Sequence, residues 1–218
     1  MPERLLETDP RFWILSEALA SYASDPQDPP ISGKDVLEAA VSLVLRGTDP
    51  LELLFIQRAR AEGDPWSGHM ALPGGRRDPG DASLLDTAVR ETREEVGLDL
   101  ERYAVKLGDL DPVAPGSTRL PHLIITPFVF GTRPEVRATA DSKEVDRVFW
   151  VPLAYLQDPA NISDVEIALP GGTRSFPCIR VGGEPVWGLT YRILTQFLER
   201  LPEKEFNRSL EEGERPPL

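Results

Sequence analysis

What this 218-residue sequence lacks already excludes several classes of function. A single cysteine, Cys178, permits no internal disulfide and no cysteine metal cluster, so the chain reads as cytoplasmic and Cys178 as a small buried hydrophobe. The two histidines, His69 and His122, have no partner at metal-ligand spacing and read as structural. Basic charge is scarce: 24 Lys+Arg face 36 Asp+Glu, a net charge of -12. Binding to nucleic acid by counterion release needs a basic stripe, and no window supplies one, so no nucleic-acid partner is expected. A polybasic membrane anchor is missing for the same reason, and no apolar run approaches the roughly 20 residues of a membrane span. The stretch Phe12 to Leu15, set among acids, is too short for a secretion signal. No internal repeat is visible.

What remains is the composition of a globular protein, 40% apolar and 28% charged, long enough for one large domain with extensions. Three parts are expected. Residues 1–30 form an N-terminal helical arm and linker: Leu5, Leu6, Phe12, Trp13, Leu15 and Leu19 recur at helical spacing, Pro10 suits a first helical turn, and residues 24–30 are proline-rich. An amphipathic arm hides its apolar face either on the main domain or on a second subunit, which would make a homodimer. Residues 31–202 form the main domain, and residues 203–218 a charged tail.

Within the domain, Val36 to Leu45 and Leu51 to Arg58 flank the turn residues Gly47-Thr48-Asp49-Pro50 and suggest a hairpin. Further strands are expected at 103–107, 123–130, 145–151, 165–169 and 176–181, the last two around the turn Pro170-Gly171-Gly172. Helices are expected at 82–96, with Asp81 as N-cap and Gly97 as stop, and at 187–201. Strands mixed irregularly with two long helices indicate an α/β (α+β) fold, a mixed sheet covered by helices.

The segment from Gly74 to Leu98 carries the chemistry. On a wheel of about 100° per residue, Glu91, Glu94 and Glu95 fall within about 100° of one another and can converge on one ion. This acidic face borders the buried one formed by Leu85, Ala88, Val89 and Val96, and lies at the helix end where the dipole disfavours anions. Such a cost is reversed by a hard cation, and oxygen-only ligands favour Mg²⁺ or Mn²⁺.

These residues resemble the Nudix box, G-x5-E-x7-R-E-U-x-E-E-x-G-U. Arg90, Glu91, Glu94, Glu95, Gly97 and Leu98 match its second half, with Thr92 at the usually aliphatic position. Gly75 takes the first glycine; Asp81 replaces the first glutamate, one residue farther from Arg90 than usual. The resemblance implies a Nudix-type α/β/α sandwich and hydrolysis of a nucleoside diphosphate linked to another moiety. It further implies that Glu91, Glu94, Glu95 and the Gly74 carbonyl hold the metal, with Arg90 orienting Glu91. The general base comes either from the box or from a later loop, where Glu144 is the outside candidate; a plain loop carboxylate is the other reading. Arg58 and Arg60 are candidates for substrate phosphate, against a plain surface role.

The segments Ile125-Thr126-Pro127-Phe128-Val129 and Trp187 to Leu194 are similar to the coenzyme A pyrophosphatase branch, with Ala59, Asp64 and Leu72 departing from its pattern before the box. The implied substrate is coenzyme A or acyl-coenzyme A. The alternatives are an ADP-ribose or nucleotide-sugar pyrophosphatase and a non-catalytic nucleotide-binding module. Trp13, Trp150 and Trp187 sit in apolar runs and read as core, while Trp66 sits in a polar loop that can face a ligand.

Overall fold

A computed structural model describes residues 5–6, 9–21, 36–60, 67–115, 122–169 and 172–202. The proline-rich linker, the Trp66 loop, the turn at Pro170-Gly171 and the charged tail lie outside the described residues.

Strand β1 (Leu37–Arg46) is the centre of a mixed sheet. It runs parallel to β6 (Leu123–Thr132) along its whole length and antiparallel to β2 (Glu52–Arg58). The expected hairpin pairs only at its turn, through Leu45↔Leu53 and Arg46↔Glu52. Beyond that the two strands part. The opening is filled by β3 (Met70–Ala71) on β2 and β4 (Gly74–Arg76) on β1, so the chain Pro73-Gly74-Gly75 is fed between two central strands. On its other side β2 pairs with β7 (Val145–Pro152), and β5 (Ala104–Asp109) closes the far edge on β6.

Alternation along the strands separates two cores. Leu43, Leu45, Leu53 and Phe55 face one layer, made by helix α1 (Pro10–Ser21) and helix α5 (Gly188–Glu199). Ala40, Val44, Leu54 and Ile56 face the other, made by helix α2 (Leu84–Val96) and the short helix α3 (Leu100–Tyr103). The result is an α/β/α sandwich. Helix α4 (Leu153–Gln157) follows β7, and a ribbon of β8 (Ile162–Leu169), β9 (Gly172–Val181) and β10 (Glu184–Val186) completes the described chain.

The N-terminal helix packs on the domain itself. Phe12, Leu15 and Leu19 are buried, and Phe12 and Leu19 lie over Gly131 and Gly108, where a Cβ would approach within 3.0 Å and 2.8 Å. Those glycines let the helix lie close on the sheet. Trp13, expected in the core, is 55% exposed. One residue turns the helix by about 100°, which carries position 13 off the stripe formed by 12, 15 and 19. Trp150 is half-buried and packs against the α2-side core, with the Arg46 guanidinium 4.3 Å from its ring centroid, and Trp187 is half-buried. Cys178 is buried as expected. No helix among the described residues is long and apolar enough to cross a membrane.

Candidate active site

Helix α2 starts two residues later than expected. Its N-cap is Ser83, whose hydroxyl accepts from the Asp86 N–H at 3.2 Å; Asp81 is not the cap. The Asp81 carboxylate is committed elsewhere. It accepts from Arg90 Nε and Nη2, each at 3.0 Å, from the Thr87 hydroxyl at 2.9 Å and from the Asp78 N–H at 2.9 Å. The extra residue falls between Asp81 and Arg90, across the start of α2, while the Asp78–Asp81 turn before it is closed by the Asp81 N–H donating to Asp78 O at 3.0 Å. The Arg90 guanidinium beside Asp81 holds that carboxyl well below the ordinary range.

Arg90 is the hub of the site. Besides Asp81, its Nη1 donates to Glu91 at 2.9 Å and Glu94 at 3.1 Å, and its Nη2 to the Arg76 carbonyl at 3.1 Å. Glu94 is exposed, Glu91 half-buried and Glu95 only 4% exposed. Burial pushes Glu91 up, against the pull of Arg90. Burial pushes Glu95 up to about 8, aided by the charges of Glu91 and Glu144 and opposed by the Gly74 N–H and Arg58. With Glu91 and Glu94 turned to Arg90 and Glu95 turned inward, no three acidic, histidine or cysteine side chains among the described residues form a group gathered for an ion.

The glycines are dictated by contact. A Cβ at position 75 would lie 2.5 Å from the Glu91 carboxylate, and one at position 74 would lie 2.2 Å from the Ala40 carbonyl. Gly74 sits at φ 152°, and its N–H donates to Glu95 at 2.9 Å. Thr92, at the usually aliphatic box position, is buried; its hydroxyl donates to Ala88 O at 2.7 Å and pairs with Ser42 Oγ at 2.9 Å. A polar partner on β1 thus makes a hydroxyl acceptable there.

Glu144 comes to the site through the end of the helix. Carbonyls in a last helical turn lack intrahelical donors; here the Asp141 N–H donates to Glu95 O at 3.0 Å and the Thr139 N–H to Val96 O at 3.1 Å. The chain then reaches β7, and Glu144 O accepts from the Ala59 N–H at 2.7 Å. Glu144 and Arg58 therefore act electrostatically on Glu95, from sequence positions far from the helix. Arg60 is exposed and lies beside Gly68, and His122 is exposed. Asp81 as the clamp on Arg90 and Ser42 under Thr92 were not singled out for those roles. The replaced box glutamate was the available signal for Asp81; nothing local signalled Ser42.

A recess of about 600 Å³ is lined by Asp81, Arg90, Glu94 and Asp141. A larger hollow of about 850 Å³ lies beside the N-terminus of α1, away from the box, where Arg11 is bound by Asp9 and the Thr48 carbonyl. The chemistry of the box, not cavity size, identifies the site.

Comparison with known proteins agrees with this geometry: the NUDIX domain model matches residues 36–168. The chain belongs to the Nudix family. It is 34% identical over 152 residues to the human mitochondrial coenzyme A diphosphatase NUDT8, covering 68% of this chain and 62% of that protein. It is 40% identical over 118 residues to an uncharacterized protein of Schizosaccharomyces pombe, covering 53% of this chain and 36% of the relative. The chain therefore spans under two thirds of the length of both curated relatives. Among solved structures, a MutT/nudix family protein from Enterococcus faecalis has 18% identity and a TM-score of 0.48, covering 89% of this chain and 78% of that one.

Proposed function

We propose that this Nudix chain is a divalent-metal-dependent pyrophosphohydrolase acting on coenzyme A or an acyl-coenzyme A. The observation that carries the reading is the Arg90 fork, which locks Asp81 and Glu91 while Glu95 is held buried against Gly74. A carboxylate pushed up to about 8 by burial is costly to ionise unless a cation compensates it, and the candidate ligand atoms, three carboxylates and a backbone carbonyl, are all oxygens, which fits Mg²⁺ or Mn²⁺. Glu91, Glu94, Glu95 and the Gly74 carbonyl would hold the ion. Bound there, it would supply charge neutralisation at the pyrophosphate and acidify an attacking water.

The protein's own groups do the rest. Arg90 orients Glu91. Glu144 takes the proton of the attacking water, whose oxygen bonds to phosphorus as the bridging P–O bond breaks. Arg58 binds phosphate oxygens of the bound conjugate. The coenzyme A assignment is supported by the similarity to coenzyme A diphosphatases.

The test is product analysis after incubation with coenzyme A, acyl-coenzyme A and ADP-ribose, with Mg²⁺ or Mn²⁺. The reading expects 4′-phosphopantetheine species and adenosine 3′,5′-bisphosphate. Absence of cleavage of coenzyme A and its thioesters would overturn the substrate assignment, and inactivity on the whole panel would leave a binding module.

A further inference from the structure

Three half-buried rings that hydrolysis does not use lie at the β3 edge of the sheet. The Trp187 ring is 5.4 Å from that of His69 at 67°, and 5.3 Å from that of Phe176 at 43°. Their position relative to the hydrolytic site follows from the register. Ile56↔Ala71 and Gln57↔Met70 are ladder pairs, and the Arg58 N–H donates to His69 O at 3.0 Å, which extends the ladder by one step. Opposed residues share a face of the sheet. Ile56 packs in the α2 layer, so Arg58 and His69, two steps on, point to the same side. That is the side from which Arg58 acts on Glu95.

From Trp187 the apolar surface continues outward. Phe176 is opposite Val165 in the β8–β9 ladder, and Ile167, opposite the exposed Arg174, follows two residues along on the same face. Both aliphatic side chains are half-buried, while Asp164 and Glu166 alternate onto the other face. Strand β8 pairs only with β9 among the described strands, so it is an edge of the three-stranded β10-β9-β8 sheet. The rings stand at angles to one another, leaving no parallel slot for a base. With cross-strand and two-residue steps of about 5 and 6.6 Å, the five side chains make a track on the order of 20 Å long, suited to an extended chain.

We propose that His69, Trp187, Phe176, Val165 and Ile167 form an apolar track that binds the alkyl chain of an acylated nucleotide conjugate. The proposal rests on the acyl-coenzyme A reading and adds the location and the selectivity for long chains.

The test uses the full chain and coenzyme A, acetyl-, hexanoyl- and decanoyl-coenzyme A. Binding is measured by calorimetry in EDTA, and hydrolysis separately in Mg²⁺. Affinity should rise about two- to fourfold per methylene, the range from half to full removal of a CH₂ from water. Ile167→Asp and Val165→Asp should flatten the series with an unchanged melting temperature. Trp187→Phe should keep the slope and Trp187→Ala lose it, while Ile162→Asp, on the opposite ribbon face, should leave it intact. Equal affinity for acetyl and decanoyl thioesters, or a full slope in Ile167→Asp, would overturn the track. Chain-length-dependent binding without any hydrolysis would support the track and defeat the hydrolase reading; hydrolysis without a slope in binding would do the reverse.

Discussion

Replacing Glu95 by Gln is expected to stabilise the metal-free protein at alkaline pH while abolishing its activity. Glu95 is 4% exposed, accepts the Gly74 N–H at 2.9 Å, and is pushed up to about 8, chiefly by burial. In the unfolded chain a glutamate titrates near about 4.3. Because the folded value is the higher one, the stability linked to this group is fully present below about pH 4.3 and is lost as pH rises through about 8. At about 1.4 kcal/mol per pH unit the ceiling on that loss is about 5 kcal/mol. Relaxation and water entry reduce it, so about 2 kcal/mol is the working expectation at pH 9. Glutamine keeps an acceptor for the Gly74 N–H and never ionises. Urea unfolding in EDTA, followed by tryptophan fluorescence, should therefore give similar stabilities at pH 5 and a more stable variant at pH 9. Mg²⁺ should raise the stability of the parent protein and leave the variant unmoved, since only a ligand that binds the folded state stabilises it. A parent protein at least as stable as the variant at pH 9 in EDTA would refute the reasoning.

Three further outcomes are expected. Asp81→Asn replaces the acceptor of two Arg90 bonds with an amide that can satisfy only one; it should destabilise by about 2 kcal/mol in urea titrations and slow turnover with little change in KM. Gly75→Ala should cost activity far more than stability, because its Cβ would lie 2.5 Å from a movable carboxylate, that of Glu91; melting within a few degrees of the parent and at least tenfold lower kcat would show this. Phe12→Ala, at a fully buried position over the sheet, should cost about 3 to 5 kcal/mol in chemical unfolding, whereas Trp13→Ala should cost under about 1 kcal/mol.

The legible parts of this protein were the local ones. The α2 helix, its glycine stop at Gly97 (φ 67°) and the spacing of Arg90, Glu91, Glu94 and Glu95 all follow from a repeat of about 100° per residue. The alternation of β1 and β2 was also readable, but their separation was not, since turn chemistry reports the closing of a hairpin and not what is wedged into it. Asp81 was misplaced as a cap because an aspartate before a helix is ordinarily one; only the approach of Arg90 reveals its second use. Trp13 was misplaced because an apolar run does not say which of its members faces inward.

Scarcity of basic charge left, from composition alone, no stripe of cations for a nucleic acid, and the spacing of Glu91, Glu94 and Glu95 singled out α2 as the candidate place for a cation. Those conclusions depend on residue types and near-neighbour spacing, which the chain carries whatever its fold. Which glutamate is buried, how Arg90 is clamped, and how Arg58 and Glu144 come to act on Glu95 were decided by tertiary structure. The physical reason is distance along the chain. These groups meet because β1 and β2 part to admit Gly74 and Gly75, and because the 139–141 segment satisfies the last carbonyls of the helix.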